Sequence, residues 1–146
     1  ALTRVSHDLS IVFPMHPRTR KLMKNLDEQL IDRVFGDHLF ITEPLGYLDF
    51  LHLQSQARVV LTDSGGVQVE TSYLGVPCLT LRPNTEWRIT LREGTNRLVA
   101  PNEAEIVSAF KTALSQDKNQ PANIEFWDGR TAERIVNHLI QMFELK

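Results

Sequence analysis

The sequence predicts an α/β fold: a parallel, doubly wound sheet with helices on both faces, in three layers. Three observations carry this expectation. Short apolar runs rich in β-branched residues recur between residues 9 and 100, stretches with helical apolar spacing follow them, and the joints fall on Gly and Pro. Strands that pair in parallel need a crossover, usually a helix, and that crossover is right-handed. Apolar runs without polar alternation are the pattern of strands covered on both faces.

The elements follow in order. The opening residues 1–8 are polar and mixed in charge and carry no strong periodic signal, and residues 9–14 form a first strand, expected to be covered on both faces. His16, Pro17 and Arg18 open a helix that runs to Leu26, with a further helical segment over residues 27–35 closed by Gly36. A second strand over 39–42 leads through Pro44 and Gly46 to a helix over 47–56. Residues 58–62 are a third strand; beyond the turn at 63–66 comes a helix stopped by Gly75 and Pro77. A fourth strand over 78–82, a polar loop through Asn84, a short helix near 88–92 and a fifth strand over 96–100 complete the alternation. Ile106, Ala109, Phe110, Ala113 and Leu114 then repeat at three and four, with Asn102 and Glu105 spaced as a capping box. After a surface loop at 116–122, a final helix carries Ala132, Ile135, Val136, Leu139, Met142 and Phe143 on one stripe.

Composition bounds the function. With 146 residues, 42% hydrophobic and 23% charged, one compact domain over 1–146 is expected. The net charge of -2, from 16 basic and 18 acidic residues, lacks the basic excess of a nucleic-acid binder, so small or sugar-like ligands fit better. No apolar run approaches the ~18 residues of a membrane span and nothing resembles a signal peptide, so no membrane association is expected and a soluble, cytoplasmic protein is. Cys78, the only cysteine, lies in an apolar run and reads as a buried strand residue. His7, His38, His52 and His138 have no partners at metal-ligand spacing, so neither a metal nor a redox cofactor is expected. The chain starts without Met and reaches its first strand at once, which suggests a boundary inside a longer protein.

The chemistry concentrates at residues 59–70, where two glycines and a hydroxyl stand at the passage from an apolar strand into a helix. Unpaired amides and the positive end of the helix dipole favour an anion, and glycine lets it approach closely. Ser64 offers a hydroxyl donor beside Gly65 and Gly66, and Glu70, one turn on, can accept from a ribose diol; a nucleoside diphosphate matches that pairing. The bland reading is a tight turn capped by Ser64, with Glu70 as a solvated helix acid. The pattern is neither GxGxxG nor a Walker loop. His16 follows the first strand and belongs at the same end of the sheet as Ser64, either as a cleft residue or as a helix-opening histidine bonded to backbone. Arg18 and Arg20 offer positive charge toward phosphates or a solvated helix start.

Five segments in one order resemble the signature series of UDP-N-acetylglucosamine 2-epimerases: residues 13–20, 43–50, 62–77, 82–87 and 93–99. The resemblance covers nearly the whole chain and is weakest between Asn102 and Pro121. It implies one half of a glycosyltransferase-B-type enzyme, in which two Rossmann-like domains face across a cleft; this chain would be the second domain plus the helix that returns to the first. It implies that Ser64, Gly65 and Gly66 hold the diphosphate of UDP or a UDP-sugar, that Glu70 holds the ribose, and that the Leu45 loop and Phe50 flank the uracil. Phe50 also fits ordinary core between helix and sheet. Arg18, Asn84 and Glu86 are candidate sugar or phosphate contacts, and Trp87 stands where some members carry an arginine. The implied reaction interconverts UDP-N-acetylglucosamine and UDP-N-acetylmannosamine by elimination and re-addition of UDP, without a cofactor. The acid and base groups would lie mainly on the missing amino-terminal domain, so the chain alone would not turn over, and the full-length enzyme would be a homodimer. Two other readings stay open: the nucleotide-sugar half of a glycosyltransferase of the same architecture, or a non-catalytic nucleotide-binding or assembly domain.

Overall fold

The computed structural model describes residues 1–23, 38–115 and 121–143. The expected helical segment over 27–35 lies outside the described residues. In chain order the elements are α1 (Leu2–Ser6), β1 (Ile11–Pro14), α2 (Pro17–Met23), β2 (Leu39–Thr42), α3 (Tyr47–Gln56), β3 (Val60–Thr62), α4 (Gly65–Leu74), β4 (Cys78–Thr80), α5 (Arg88–Arg92), β5 (Asn96–Leu98), α6 (Glu103–Leu114) and α7 (Thr131–Phe143). The expected α/β alternation is present; β2 matches its expected span, and the other four strands are each two residues shorter than the apolar runs that announced them.

Every ladder is parallel. β1 pairs with β2, Ile11 opposite Leu39, and β3, β4 and β5 form a second ladder in sequence order, with Val60 opposite Cys78 and Cys78 opposite Asn96. Ile11 from the first ladder and Leu61 from the second pack against one core cluster of Val5, Leu79, Val99, Ile106, Ala109 and Phe110.

β4 divides the interior, because successive side chains of a strand point to opposite faces. Leu79 turns to the apolar cluster built with α1 and α6. Cys78 and Thr80 turn the other way, toward polar partners: Cys78 lies near Thr71 of α4, and Thr80 bonds Asn96. All three residues are buried, as expected of a central strand with helices on both sides.

Local signals explain the helix ends. α4 stops at Gly75, which adopts the left-handed conformation (φ 74°) and donates to the Ser72 carbonyl, while Val76 N–H donates to the Thr71 carbonyl. α6 starts with the N-cap half of the expected capping box: Glu105 N–H donates to Asn102 Oδ1 at 3.0 Å, while the Glu105 carboxylate accepts from Asn102 Nδ2 at 3.1 Å and from Ala100 N–H at 3.3 Å instead of from Asn102 N–H.

Two expectations need correction. The opening residues are not an unstructured approach to a strand: α1 buries Val5 and Ser6, and Arg4 pairs with Glu103 of α6 at 2.8 Å. β1 is not covered on both faces among the described residues, since Val12 is 44% exposed and Phe40 of the neighbouring β2 is 51% exposed. The final helix forms as expected, but its apolar stripe is open to solvent: Ile135, Val136, Leu139, Met142 and Phe143 are all exposed. Its first turn is tied down by Asp128, whose Oδ1 accepts from Arg130 N–H at 3.0 Å and from Arg134 Nη1 at 2.9 Å.

Candidate functional site

The candidate residues lie beyond the carboxyl ends of the parallel strands, where ligands bind in open α/β sheets. Ser64 is the N-cap of α4, with extended backbone (φ -81°, ψ 134°), and its side chain makes no capping hydrogen bond. The capping reading is therefore set aside, and the hydroxyl and the first-turn amides of Gly65 and Gly66 have no side-chain cap competing with an anion. The turn is fixed from both sides, since Ser64 N–H donates to Thr62 Oγ1 at 3.0 Å and Gln68 Nε2 donates to the Ser64 carbonyl at 3.2 Å.

Both glycines have distinct surroundings. A Cβ on Gly66 would meet nothing within 4 Å, so this position faces open space. A Cβ on Gly65 would lie 2.5 Å from Glu86 Oε1 and 3.2 Å from Trp87 Nε1, which brings the loop after β4 against the turn after β3. Glu86 pairs with Arg82 at 3.3 Å. A carboxylate accepts hydrogen bonds and repels phosphate, so of its two expected roles Glu86 suits a sugar hydroxyl. Trp87 contributes an indole N–H donor next to Gly65.

A buried polar network, not anticipated from the sequence, joins these loops. Gln68 is fully buried, and its Oε1 accepts from Thr85 Oγ1 at 2.6 Å and from Asn96 Nδ2 at 2.8 Å. Thr85 Oγ1 accepts from Trp87 N–H at 3.0 Å. Asn96 in turn accepts from Thr80 at 2.6 Å and donates to Thr90 at 3.0 Å. The turn after β3, the loop after β4 and the start of β5 are thus held by one set of matched donors and acceptors, which a low-dielectric interior strengthens. The available signal was Gln68 itself, a polar residue between Val67 and Val69.

Glu70 lies one turn beyond Gly66 on α4, is half-buried, and accepts from Gln54 Nε2 at 2.6 Å. Thus Glu70 is more than a solvated helix acid. Phe50 is half-buried on α3, where Leu48 is exposed and Leu51 half-buried, and Leu45 is exposed in the loop before it. His16 is exposed and opens α2, with Nδ1 accepting from Arg18 N–H at 3.2 Å. That bond fits the helix-opening role. Arg20 pairs with Glu43 through one guanidinium nitrogen, whereas Arg18 and Asn84 are exposed. Among the described residues, no hydrogen bond links His16, Arg18 or Leu45 to the Ser64 turn. Burial raises the Cys78 thiol above its ordinary range, consistent with the expected inert strand cysteine. Among the described residues there is no cluster of side chains suited to a metal ion, and no helix is long and apolar enough to cross a membrane.

Comparison with known proteins bears on this geometry. The sequence pattern of the family described as UDP-N-acetylglucosamine 2-epimerase matches residues 1–140. UDP-N-acetylglucosamine 2-epimerase of Methanocaldococcus jannaschii is 42% identical over 134 residues, covering 91% of this chain and 36% of that protein. UDP-2,3-diacetamido-2,3-dideoxy-D-glucuronate 2-epimerase of Pseudomonas aeruginosa is 33% identical over 132 residues, covering 90% and 35%. Among solved structures, the Methanocaldococcus jannaschii UDP-GlcNAc 2-epimerase in complex with UDP-GlcNAc and UDP superposes with a TM-score of 0.77 at 40% identity, covering 95% of this chain and 38% of that one. The chain thus spans little more than a third of the length of these relatives, and its α/β fold with parallel strands is the Rossmann-like half of their architecture. On a match over residues 1–140, the chain belongs to the UDP-N-acetylglucosamine 2-epimerase family.

Proposed function

We propose that this chain is the carboxy-terminal, UDP-binding half of an enzyme that inverts C2 of UDP-N-acetylglucosamine by eliminating and re-adding UDP. The observation that carries the proposal is the uncapped turn at Ser64, Gly65 and Gly66, followed one helical turn later by Glu70. In this reading the diphosphate sits on the first-turn amides and the Ser64 hydroxyl, Glu70 accepts from the ribose hydroxyls, and the Leu45 loop and Phe50 flank the uracil. His16, Arg18, Asn84 and Glu86 face the sugar or phosphates from the neighbouring strand ends.

The chemistry assigned to this half is leaving-group stabilisation. As the bond between C1 and the β-phosphate oxygen breaks, negative charge grows on that phosphate. Donors already fixed in place by the Gln68 network stabilise that charge more than they stabilise the bound ground state. Loss of one such donor costs on the order of 3 kcal/mol in the barrier. We assign proton transfer to a second domain of the same protein, which predicts no turnover by this chain alone. The open stripe of α7 supports the same division, because Ile135, Leu139 and Met142 offer an apolar face that an amino-terminal domain of the same protein would cover.

A broader sugar range is the second reading. The Pseudomonas aeruginosa relative is named for a diacetamido glucuronate, and a site that grips only the nucleotide is compatible with several UDP-linked 2-acetamido sugars. The test of the nucleotide assignment is calorimetric titration with UDP, UMP and ADP. UDP is expected to bind better than either control, and Ser64→Ala and Glu70→Ala each to weaken it by about tenfold, or ~1.4 kcal/mol. Equal affinity for UDP and ADP would remove the uridine reading.

A further inference from the structure

Gln54 of α3 is buried to 2% exposure. Its Nε2 donates to Glu70 Oε2 at 2.6 Å, while its Oε1 is buried with no hydrogen-bond partner among the described residues. An ionised carboxylate has only acceptors, so the amide nitrogen must face Glu70 and the amide oxygen must turn to the side that lacks a donor. A buried carbonyl without a donor destabilises the fold, and a leucine would occupy similar space without that defect. The nearby interior shows the contrast, since Gln68, Thr80, Thr90 and Asn96 are all matched. The one bond from Gln54 to Glu70 therefore accounts for an amide at this position.

We propose that Gln54 is a positioning residue that orients the Glu70 carboxylate toward a vicinal diol, the chemistry of a ribose with both the 2′ and 3′ hydroxyls. The inference rests on the ribose reading of Glu70 given above. A glutamate side chain has three rotatable bonds, and a diol is gripped by a carboxylate in one orientation. A charge-assisted bond from a buried donor to Oε2 selects that orientation before the ligand arrives. It leaves Oε1 and the second lone pair of Oε2 for the two hydroxyls. Gln54 itself touches no ligand in this arrangement.

The test compares UDP with 2′-deoxy-UDP as ligands of the chain and of Gln54→Leu, Gln54→Met and Glu70→Gln, with the melting temperature of each variant measured alongside. The parent is expected to prefer UDP by about tenfold. Gln54→Leu is expected to melt no lower than the parent and to lose most of that preference through weaker binding of UDP, with 2′-deoxy-UDP affinity unaltered; Gln54→Met gives the same readout should the leucine variant fail to fold. A purely structural tether would instead lower the melting temperature and leave the ribose preference alone. A preference retained in both Gln54 variants but lost in Glu70→Gln overturns the role of Gln54 and leaves the ribose reading standing. A parent that does not distinguish the two nucleotides, or a Glu70→Gln variant that still does, overturns both.

Discussion

Replacing Gln68 by Leu tests whether the buried network holds the fold together at the candidate site. The substitution keeps the side-chain volume roughly constant, so the cavity contribution is small and the loss is polar. Three bonds disappear. The Thr85 hydroxyl loses the only acceptor described for it, a bond of 2.6 Å at a residue 8% exposed, which costs about 2 kcal/mol. Asn96 Nδ2 loses one of two acceptors and keeps Thr90, for about 1 kcal/mol. The Ser64 carbonyl belongs to an exposed residue and can turn to water, so its loss is near zero. The sum, about 3 kcal/mol, lowers the melting temperature of a chain this long by roughly 6–12 °C. Thermal denaturation followed by far-ultraviolet circular dichroism, with urea denaturation as a second measure, reads the change. A fall of less than about 2 °C, equivalent to under ~1 kcal/mol, would refute the argument that these groups depend on Gln68.

Three further outcomes are expected. Gly65→Ala should leave the melting temperature within about 2 °C of the parent, because the nearest atom to its Cβ is the carboxylate end of the exposed Glu86 side chain, and the Trp87 ring at 3.2 Å is asked to move by only a few tenths of an ångström, yet weaken UDP by tenfold or more (~1.4 kcal/mol) in the same titration; unchanged affinity would place the phosphates elsewhere. The Cys78 thiol, buried and raised above its ordinary range, should stay silent toward an aromatic disulfide reagent at pH 8 in the native chain and react once in denaturant. Asp128 is held down to about 2, chiefly by its hydrogen bond from Arg134. Its folded value lies below the unfolded value of 3.8, so its contribution to the start of α7 is present above about pH 4 and is lost as the pH falls toward 2. A carboxyl resonance titrating near 3.8 in the folded chain would contradict this.

Much of the fold was legible because local chemistry marks it. Gly75 and Pro77 end α4, Asn102 and Glu105 begin α6, and the apolar runs name the strands. The α1 helix was not legible, since five residues cannot hold a helix by themselves and this one exists through Val5 packing on α6. The glycine turn and Glu70 could be found as motifs, but their supports could not. Gln54 and Gln56 are chemically identical and two positions apart, yet one is buried against Glu70 and the other is exposed. Likewise Arg18 and Arg20 look equivalent until Glu43 takes one of them. In each pair the deciding partner comes from another element, which no window of sequence contains.

The two faces of β4 impose different rules on how this sequence can change over generations. On the side of Leu79, interactions are non-directional, so Ile for Val or Met for Leu can be tried one at a time and corrected later by a neighbour. On the side of Thr80, each donor has a named acceptor, and a single replacement strands its partner until a second mutation arrives. Lineages would therefore drift freely behind the sheet while the residues beneath the glycine turn move as a block or stay put. That asymmetry would give the end of the sheet that carries the glycine turn a historical inertia that its exposed residues, Asn84 and Glu86 among them, would not share.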